Sequence, residues 1–366
     1  MTSDGDADFR QALMAILEDP KVRSLAFERA RDPELARDCR ALINAVSQFR
    51  DCHVCGAPRE VSPRSSNSPT FGILTALPEE FAAMRLLVDR PRQDNIHGDR
   101  ADYLIGTLPS ADPSMPHTVA VTMLSESGND AAASACTNLL RSYGSVRCLL
   151  MVGIAAGVPD PGKPERHVRL GDIVVARGIA QYDNVRERDE GPVPRRTFPP
   201  PSPLLQRRAR LLQAGEMTGD RPWEDLVAAR TRLFPQFARP PVSADILYSP
   251  DGSGGQTHHP DMMASGHRPG QPKVHFGLIA SGDRSLRSAR KRDELAALHG
   301  VLAMEMEGKG LGNAGFYEGA EWFAVRGISD YGDCHVTPTW RRYASIAAAA
   351  YVRALLAVTP ATARCL

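Results

Sequence analysis

The chain has 366 residues, 42% of them apolar and 24% charged, with a formal net charge of +1. That length supports one large domain with an appendage, or two domains. The near-neutral balance excludes a general nucleic-acid or membrane surface, and no apolar stretch approaches the ~20 residues that span a bilayer. The first residues, MTSDGDADFR, lack the basic and apolar regions of a signal peptide. Seven scattered cysteines, an odd number, suit a reducing interior. The expected location is the cytoplasm.

Residues 1–55 read as an N-terminal helical segment. Phe9, Leu13, Ile16 and Leu17 recur at helical spacing, as do Leu35, Leu42, Ile43 and Val46. So short a piece buries little surface alone, so it is expected to pack on the main domain or to bind a signalling partner. Residues 56–70, rich in Pro and Ser, read as a linker. From Phe71 to about residue 360 the character changes. Strand-like runs at 71–76, 118–124, 147–153, 172–176, 275–280, 300–304 and 322–328 alternate with helical patterns at 129–142, 285–299 and 340–356. This alternation predicts an α/β fold, a three-layer α/β/α sandwich around a mixed, mostly parallel sheet. A long excursion, 184–272, interrupts it with many Pro, Gly and Arg and two helices near 203–214 and 223–231.

Three carboxylate-bearing strings follow apolar runs: LPEEF (Leu77 to Phe81), MEMEG (Met304 to Gly308) and RGISD (Arg326 to Asp330). Acids at the ends of buried strands are costly unless a ligand or partner needs them. Each string alone has a plain reading. Glu-x-Glu is usually a solvated edge, Ser-Asp after a strand a cap or turn, and Leu-Pro-Glu-Glu a helix start. If MEMEG is extended, Glu305 and Glu307 share a side and Met306 faces the other way unless a bulge intervenes.

In pattern and order the three strings resemble those of the purine nucleoside phosphorylase and methylthioadenosine nucleosidase superfamily. The likeness covers about residues 71 to 357. It includes SGNDAAASACTNLL (from Ser127), MVGIAAGV (from Met151), VRLGDIVVA (from Val168) and HFGLIASGD (from His275). The run GVLAMEMEGKGL and RGISDYGDCH followed by WRRYASIAAAAYVRALL look nearest to phosphorylase-like modules fused to NACHT, ankyrin or other signalling domains. The resemblance implies cleavage of a purine N-glycosidic bond, without metal or organic cofactor, in a homo-oligomer. The fused relatives imply a stress or defence effector.

Breaking that bond needs carboxylates beside the sugar, an acid beside the base and a held nucleophile. By resemblance, Glu307 grips the ribose hydroxyls, with Glu305 nearby and Met306 packed on the sugar. Asp330 protonates purine N7, Ser329 orients it, Arg326 helps hold the attacking oxygen, and Glu80 activates water. Ile154, Ala155 and Gly157 of the central strand end, and Ser285, Leu286 and Arg287 after the Ser-Gly-Asp string, are expected against the substrate.

Phosphorolysis instead needs an anion cradle. Here Gly153-Ile154-Ala155-Ala156-Gly157 offers no hydroxyl and Glu79-Glu80 would repel phosphate, so water is the preferred nucleophile and phosphate the alternative. A silent nucleotide-sensing module is a further alternative. The nucleosidases stack adenine on a Phe after Ser-Gly-Asp; this chain has Arg284-Ser285-Leu286-Arg287, then Arg290, Lys291 and Arg292. That basic run reads as a solvated helix face. Alternatively, with Arg195 and Arg196, it meets the 5′-phosphates of a nucleotide such as AMP or ATP. Cys52-His53-Val54-Cys55, with Cys39 upstream, lacks the second ligand pair of a four-coordinate zinc site and reads as reduced thiols near a linker. His258, His259 and Asp261 read as a polar loop over the substrate, and His335 as a residue near the pocket mouth.

Overall fold

The computed structural model describes residues 68–361, apart from 187, 190–192, 195–197 and 252–253. The expected N-terminal helices, most of the linker, Cys39, Cys52 and Cys55, and Arg195 and Arg196 lie outside the described residues. None of the helices described is long and apolar enough to cross a membrane.

The strands are β1 (Phe71–Thr75), β2 (Asp89–Asp94), β3 (Tyr103–Leu108), β4 (His117–Met123), β5 (Cys148–Gly157) and β6 (Ile173–Gln181). Two short ribbons follow, β7 (Val185–Arg186) with β8 (Val193–Pro194) and β9 (Leu247–Tyr248) with β10 (Gln256–Thr257). Then come β11 (Val274–Ser281), β12 (Val301–Glu305) and β13 (Glu321–Asp330). The helices are α1 (Pro78–Leu87), α2 (Asn129–Ser142), α3 (Pro203–Met217), α4 (Pro222–Leu233), α5 (Met262–Ser265), α6 (Ala289–His299), α7 (Gly308–Glu318) and α8 (Arg341–Ala357).

Nine strands form one sheet in the order β12-β11-β6-β13-β5-β1-β4-β3-β2. Pairings through its middle are parallel, except β13 with β6, and the β4-β3-β2 edge is antiparallel. β12 also pairs antiparallel with β5, Ala303 opposite Gly157 and Met304 opposite Ala156. That pairing closes β5, β13, β6, β11 and β12 into a ring. The closure fixes the carboxyl ends of β5, β12 and β13 against one another.

Sequence and packing explain the layers. β5 is apolar on both faces and is buried throughout its first six residues, the pattern of a central strand covered on both sides. On one face α8 packs against β5, β13 and α1; on the other α7 packs against α2, β5 and β13. The mixed, mostly parallel α/β sandwich read from the sequence is therefore the observed one. The excursion is packed rather than loose at its helices: Trp223 of α4 is buried, and α3 and α4 both touch α8.

Three boundaries differ from expectation. β5 runs on to Gly157 and β13 to Asp330, because ring closure gives their last residues partners. The helix expected from 285 begins at Ala289, where the Ser288 hydroxyl caps it by accepting the Lys291 N–H at 3.3 Å. β2 and β3 had not been anticipated; β2 (DRPRQD) is mostly exposed and polar, so no alternation marks it, and Pro and charge suit its place at the sheet edge.

Close approach of α8 to β13 depends on Gly327, where a Cβ would stand 2.0 Å from the Ala344 carbonyl oxygen. Gly327→Ala is expected to destabilise the fold by about 2–3 kcal/mol through overpacking. In urea unfolding this should lower the midpoint with little change in slope. An unchanged midpoint would show that the two elements can separate freely.

Candidate active site

The ends of β1, β5, β12 and β13, the start of α1 and the segment after β11 surround a cavity of about 170 Å³. Glu80, Glu305, Glu307 and Asp330 all line it. Glu80 is brought there by Pro78, which opens α1 straight after β1; the acid then occupies the helix's first turn. Its carboxylate accepts N–H bonds from Ala76 (2.6 Å), Leu77 (3.0 Å) and, across the sheet, Ile154 (2.8 Å). Gly153 permits this approach, since a Cβ there would lie 2.4 Å from Glu80 Oε1 and 2.7 Å from Arg326 Nη1. Burial raises the Glu80 carboxyl above its ordinary range, against the opposing pull of Arg326 and the three backbone donors.

Arg326, on β13, is wholly buried. Its Nη2 donates to Glu305 Oε2 and to Glu307 Oε2, the latter at 3.1 Å. Nη1 and Nε have no acceptor among the described residues. Glu305, the last residue of β12, spends its other contacts on the chain itself, accepting the N–H groups of Glu307 (3.0 Å) and Gly308 (2.8 Å). It holds the start of α7 and the guanidinium, rather than reaching freely into the cavity. Because β12 stops at Glu305, strand alternation does not extend to the next two residues. Glu305, Met306 and Glu307 all reach the cavity wall, the arrangement that the departure from an extended strand allows. The Glu307 carboxyl is pushed up to about 7, by burial first and by neighbouring Glu305 and Glu80, against Arg326.

Also on the cavity wall, Asp330 ends β13. Its Oδ2 accepts the Ser329 hydroxyl at 2.8 Å and its Oδ1 the Gly332 N–H at 2.9 Å. The next residue, Tyr331, anchors this turn: its hydroxyl donates to Asp245 of the excursion (2.7 Å) and its carbonyl accepts from Arg292 Nη1 (2.8 Å).

The remaining expected residues divide. Ile154, Ala155, Ser285, Leu286 and Arg287 line the cavity. Gly157 does not; it faces Ile328 and Val168, and its place opposite Ala303 makes it part of the ring closure. Of the basic run, Arg284 and Arg287 reach the wall, whereas Arg290 and Lys291 pair with Glu294 outside it and Arg292 is buried against Asp293 and Tyr331. His335 stacks on Tyr248, ring centroids 3.6 Å apart, in a hollow that shares Arg287 with the main cavity. His259 is not a lid residue. It bonds His167 and the Asp245 carbonyl within the fold, and Asp261 caps α5.

Sequence reasoning missed Arg341, at the start of α8, and Tyr182, just past β6, both on the wall. The Tyr182 ring lies against Gly282 and its hydroxyl donates to the Arg284 carbonyl at 3.2 Å. An arginine opening an alanine-rich helix carries no site signal by itself; a short 3-10 turn at Pro338–Trp340 leads directly into α8.

Comparison with known proteins fits this geometry. The family model of the phosphorylase superfamily matches residues 70–357. A nucleotide-binding leucine-rich repeat (NLR)-like protein of Hyaloscypha variabilis is 31% identical over 305 residues, covering 79% of this chain and 29% of its own length. The 5′-methylthioadenosine/S-adenosylhomocysteine nucleosidase of Mycobacterium bovis is 27% identical over 300 residues, covering 81% of this chain and 99% of that enzyme. ATP nucleosidase Cap17 of Escherichia coli is 24% identical over 286 residues, covering 77% of this chain and 50% of that protein. The chain thus spans under a third of the first relative and about half of the third. With the matched region running from β1 through α8, the chain belongs to the phosphorylase superfamily.

Proposed function

We propose that this chain hydrolyses the N-glycosidic bond of a purine nucleotide, adenine type favoured, and releases the free base. The observation that carries the reading is one cavity lined by Glu80, Glu307 and Asp330, with the buried Arg326 guanidinium bonded to Glu307. The nucleosidase and ATP nucleosidase relatives support it.

The chemistry assigns each group a task. Asp330 serves as the acid toward the base nitrogen as the C1′–N bond breaks and the ribose becomes oxocarbenium-like. Glu307 accepts hydrogen bonds from the ribose hydroxyls, which strengthen as positive charge develops. Glu80 takes a proton from the attacking water, whose oxygen joins C1′. The Arg326 Nη1 donor, beside Glu80 and otherwise unpartnered, suits that oxygen. Ser329 orients Asp330 through its 2.8 Å bond. Tyr182 is the aromatic surface best placed for the base, answering the absence of a Phe after Ser-Gly-Asp.

Arg284, Arg287 and Arg341 converge on the cavity wall, and no carboxylate ion pair engages them among the described residues. Guanidinium groups in this position suit a phosphate chain. They favour a nucleotide over a free nucleoside, and the fusion of such a module to an NLR-like protein supports a role as a stress or defence effector.

Three outcomes follow. Chromatography of products should show free adenine from ATP or AMP without added inorganic phosphate; dependence on phosphate, or faster turnover of adenosine, would overturn the hydrolytic nucleotide reading. Arg287→Ala and Arg341→Ala should each raise KM for the nucleotide by roughly tenfold or more while leaving adenosine cleavage nearly unchanged. Asp330→Asn should lower kcat by about 10²–10⁴-fold.

The pH dependence has a defined sign. Glu307 must be ionised to accept from the ribose, and its carboxyl is raised to about 7. Hence kcat/KM should fall with unit slope as pH drops below about 7, where Glu307 is protonated in the free enzyme. Glu307→Gln should lower activity by about 10²-fold and flatten this limb. A limb that survives in the Gln variant belongs to another group.

A further inference from the structure

Away from the cavity, two histidine groups are buried side by side under the excursion, and their hydrogen bonds differ. In the first, protons are fully accounted for. The Asp160 N–H donates to His167 Nδ1 at 3.1 Å, so His167 carries its proton on Nε2, which faces His259 Nδ1 at 2.9 Å; His259 Nε2 then donates to the Asp245 carbonyl at 3.1 Å. Every nitrogen has one complementary partner, and neither ring has a lone pair to spare.

The second group brings two imidazoles onto one carboxylate oxygen. Asp172, His267 and His275 are all buried, and their ligand atoms lie within 4.8 Å of one another. Asp172 Oδ2 is 2.8 Å from His267 Nε2 and 3.0 Å from His275 Nε2. His267 Nδ1 lies 2.9 Å from the Ser265 hydroxyl. That hydroxyl also lies 2.9 Å from the Asp261 carbonyl and 3.2 Å from the Met262 carbonyl, the back-bonding positions of a helix serine. With its proton donated there, Ser265 accepts from Nδ1–H, and His267 presents the Nε2 lone pair to the cluster, the tautomer a metal ligand needs.

We propose that Asp172, His267 and His275 form a divalent transition-metal site, with zinc the best fit. Two imidazoles and one carboxylate are the borderline nitrogen and oxygen ligands that zinc prefers. The surroundings match a supported site. The Ser265 hydroxyl meets His267 Nδ1, while the backbone N–H groups of Arg169 (2.8 Å) and Lys273 (3.0 Å) steady the Asp172 carboxylate. Bonds of about 2.0–2.1 Å to zinc require each imidazole nitrogen to move only a few tenths of an ångström from the carboxylate oxygen. Lys273 Nζ is held off by the Glu165 and Ser265 carbonyls, at 2.9 and 2.7 Å. None of the three ligands lines the carboxylate cavity, so the ion acts as a structural clip. It joins the start of β6 and of β11 to the excursion just beyond α5.

The test uses the untagged full chain carrying Cys52→Ser and Cys55→Ser, so that the Cys-x-x-Cys string cannot supply the signal. After chelation, added zinc should bind at about one equivalent by elemental analysis and raise the melting temperature. His267→Gln and Asp172→Asn should weaken binding by roughly tenfold or more and remove the thermal shift, whereas exposed His258→Gln should change neither. Cobalt(II) in place of zinc should give the strong visible bands of a tetrahedral site in the chain with an intact Asp172/His267/His275 set, a reading that does not depend on the variants folding. Binding no greater than in His267→Gln, or a weak octahedral cobalt spectrum, would overturn the proposal and leave a hydrogen-bonded His–Asp–His cluster.

Discussion

A single buried guanidinium organises this molecule's functional end. Arg326 contacts Glu305 and Glu307 directly and stands beside Glu80, three acids drawn from two separate parts of the chain. In a low-dielectric interior such carboxylates would repel one another and take up protons. The cation offsets part of that cost, and the opposed influences are visible in Glu307, raised by burial and its acidic neighbours and lowered by Arg326. The site is thus poised electrostatically by one residue that need not touch the reacting bond.

The backbone carries the rest of the load. Glu80 is anchored by three N–H donors and Glu305 by two residues' N–H groups, so both carboxylates are positioned by main chain rather than by other side chains. Those donors are themselves fixed because β12 returns to pair with β5 and closes the strand ring. A local feature of sheet topology therefore sets where acids separated by more than two hundred residues can meet.

Much of this was legible in the sequence, for physical reasons. Apolar runs ending in acids identified β1, β12 and β13, because an unpaired carboxylate at a buried strand end is too costly to be incidental. The sequence was less informative at Glu305 and Gly157. Alternation fails where a strand stops, and nothing in Glu-x-Glu announces that Glu305 will cap the following helix. Gly157 looked like part of a glycine-rich wall but serves the β5–β12 pairing instead. Arg341 and Tyr182 were invisible because their importance arises only from how distant elements are aimed. The His267–Asp172–His275 cluster was equally hidden: its members sit in three stretches whose proximity only the folded sheet creates.

The two ends of the cavity depend on different parts of the molecule. Glu80 stands on the sheet and the first turn of α1, whereas the turn bearing Asp330 is moored through Tyr331 to Asp245 in the excursion. Substitutions drifting through that insertion can tilt the Asp330 carboxylate while Glu80 and Glu305 stay where the main chain holds them. The two walls can in this way be altered one at a time within one fold.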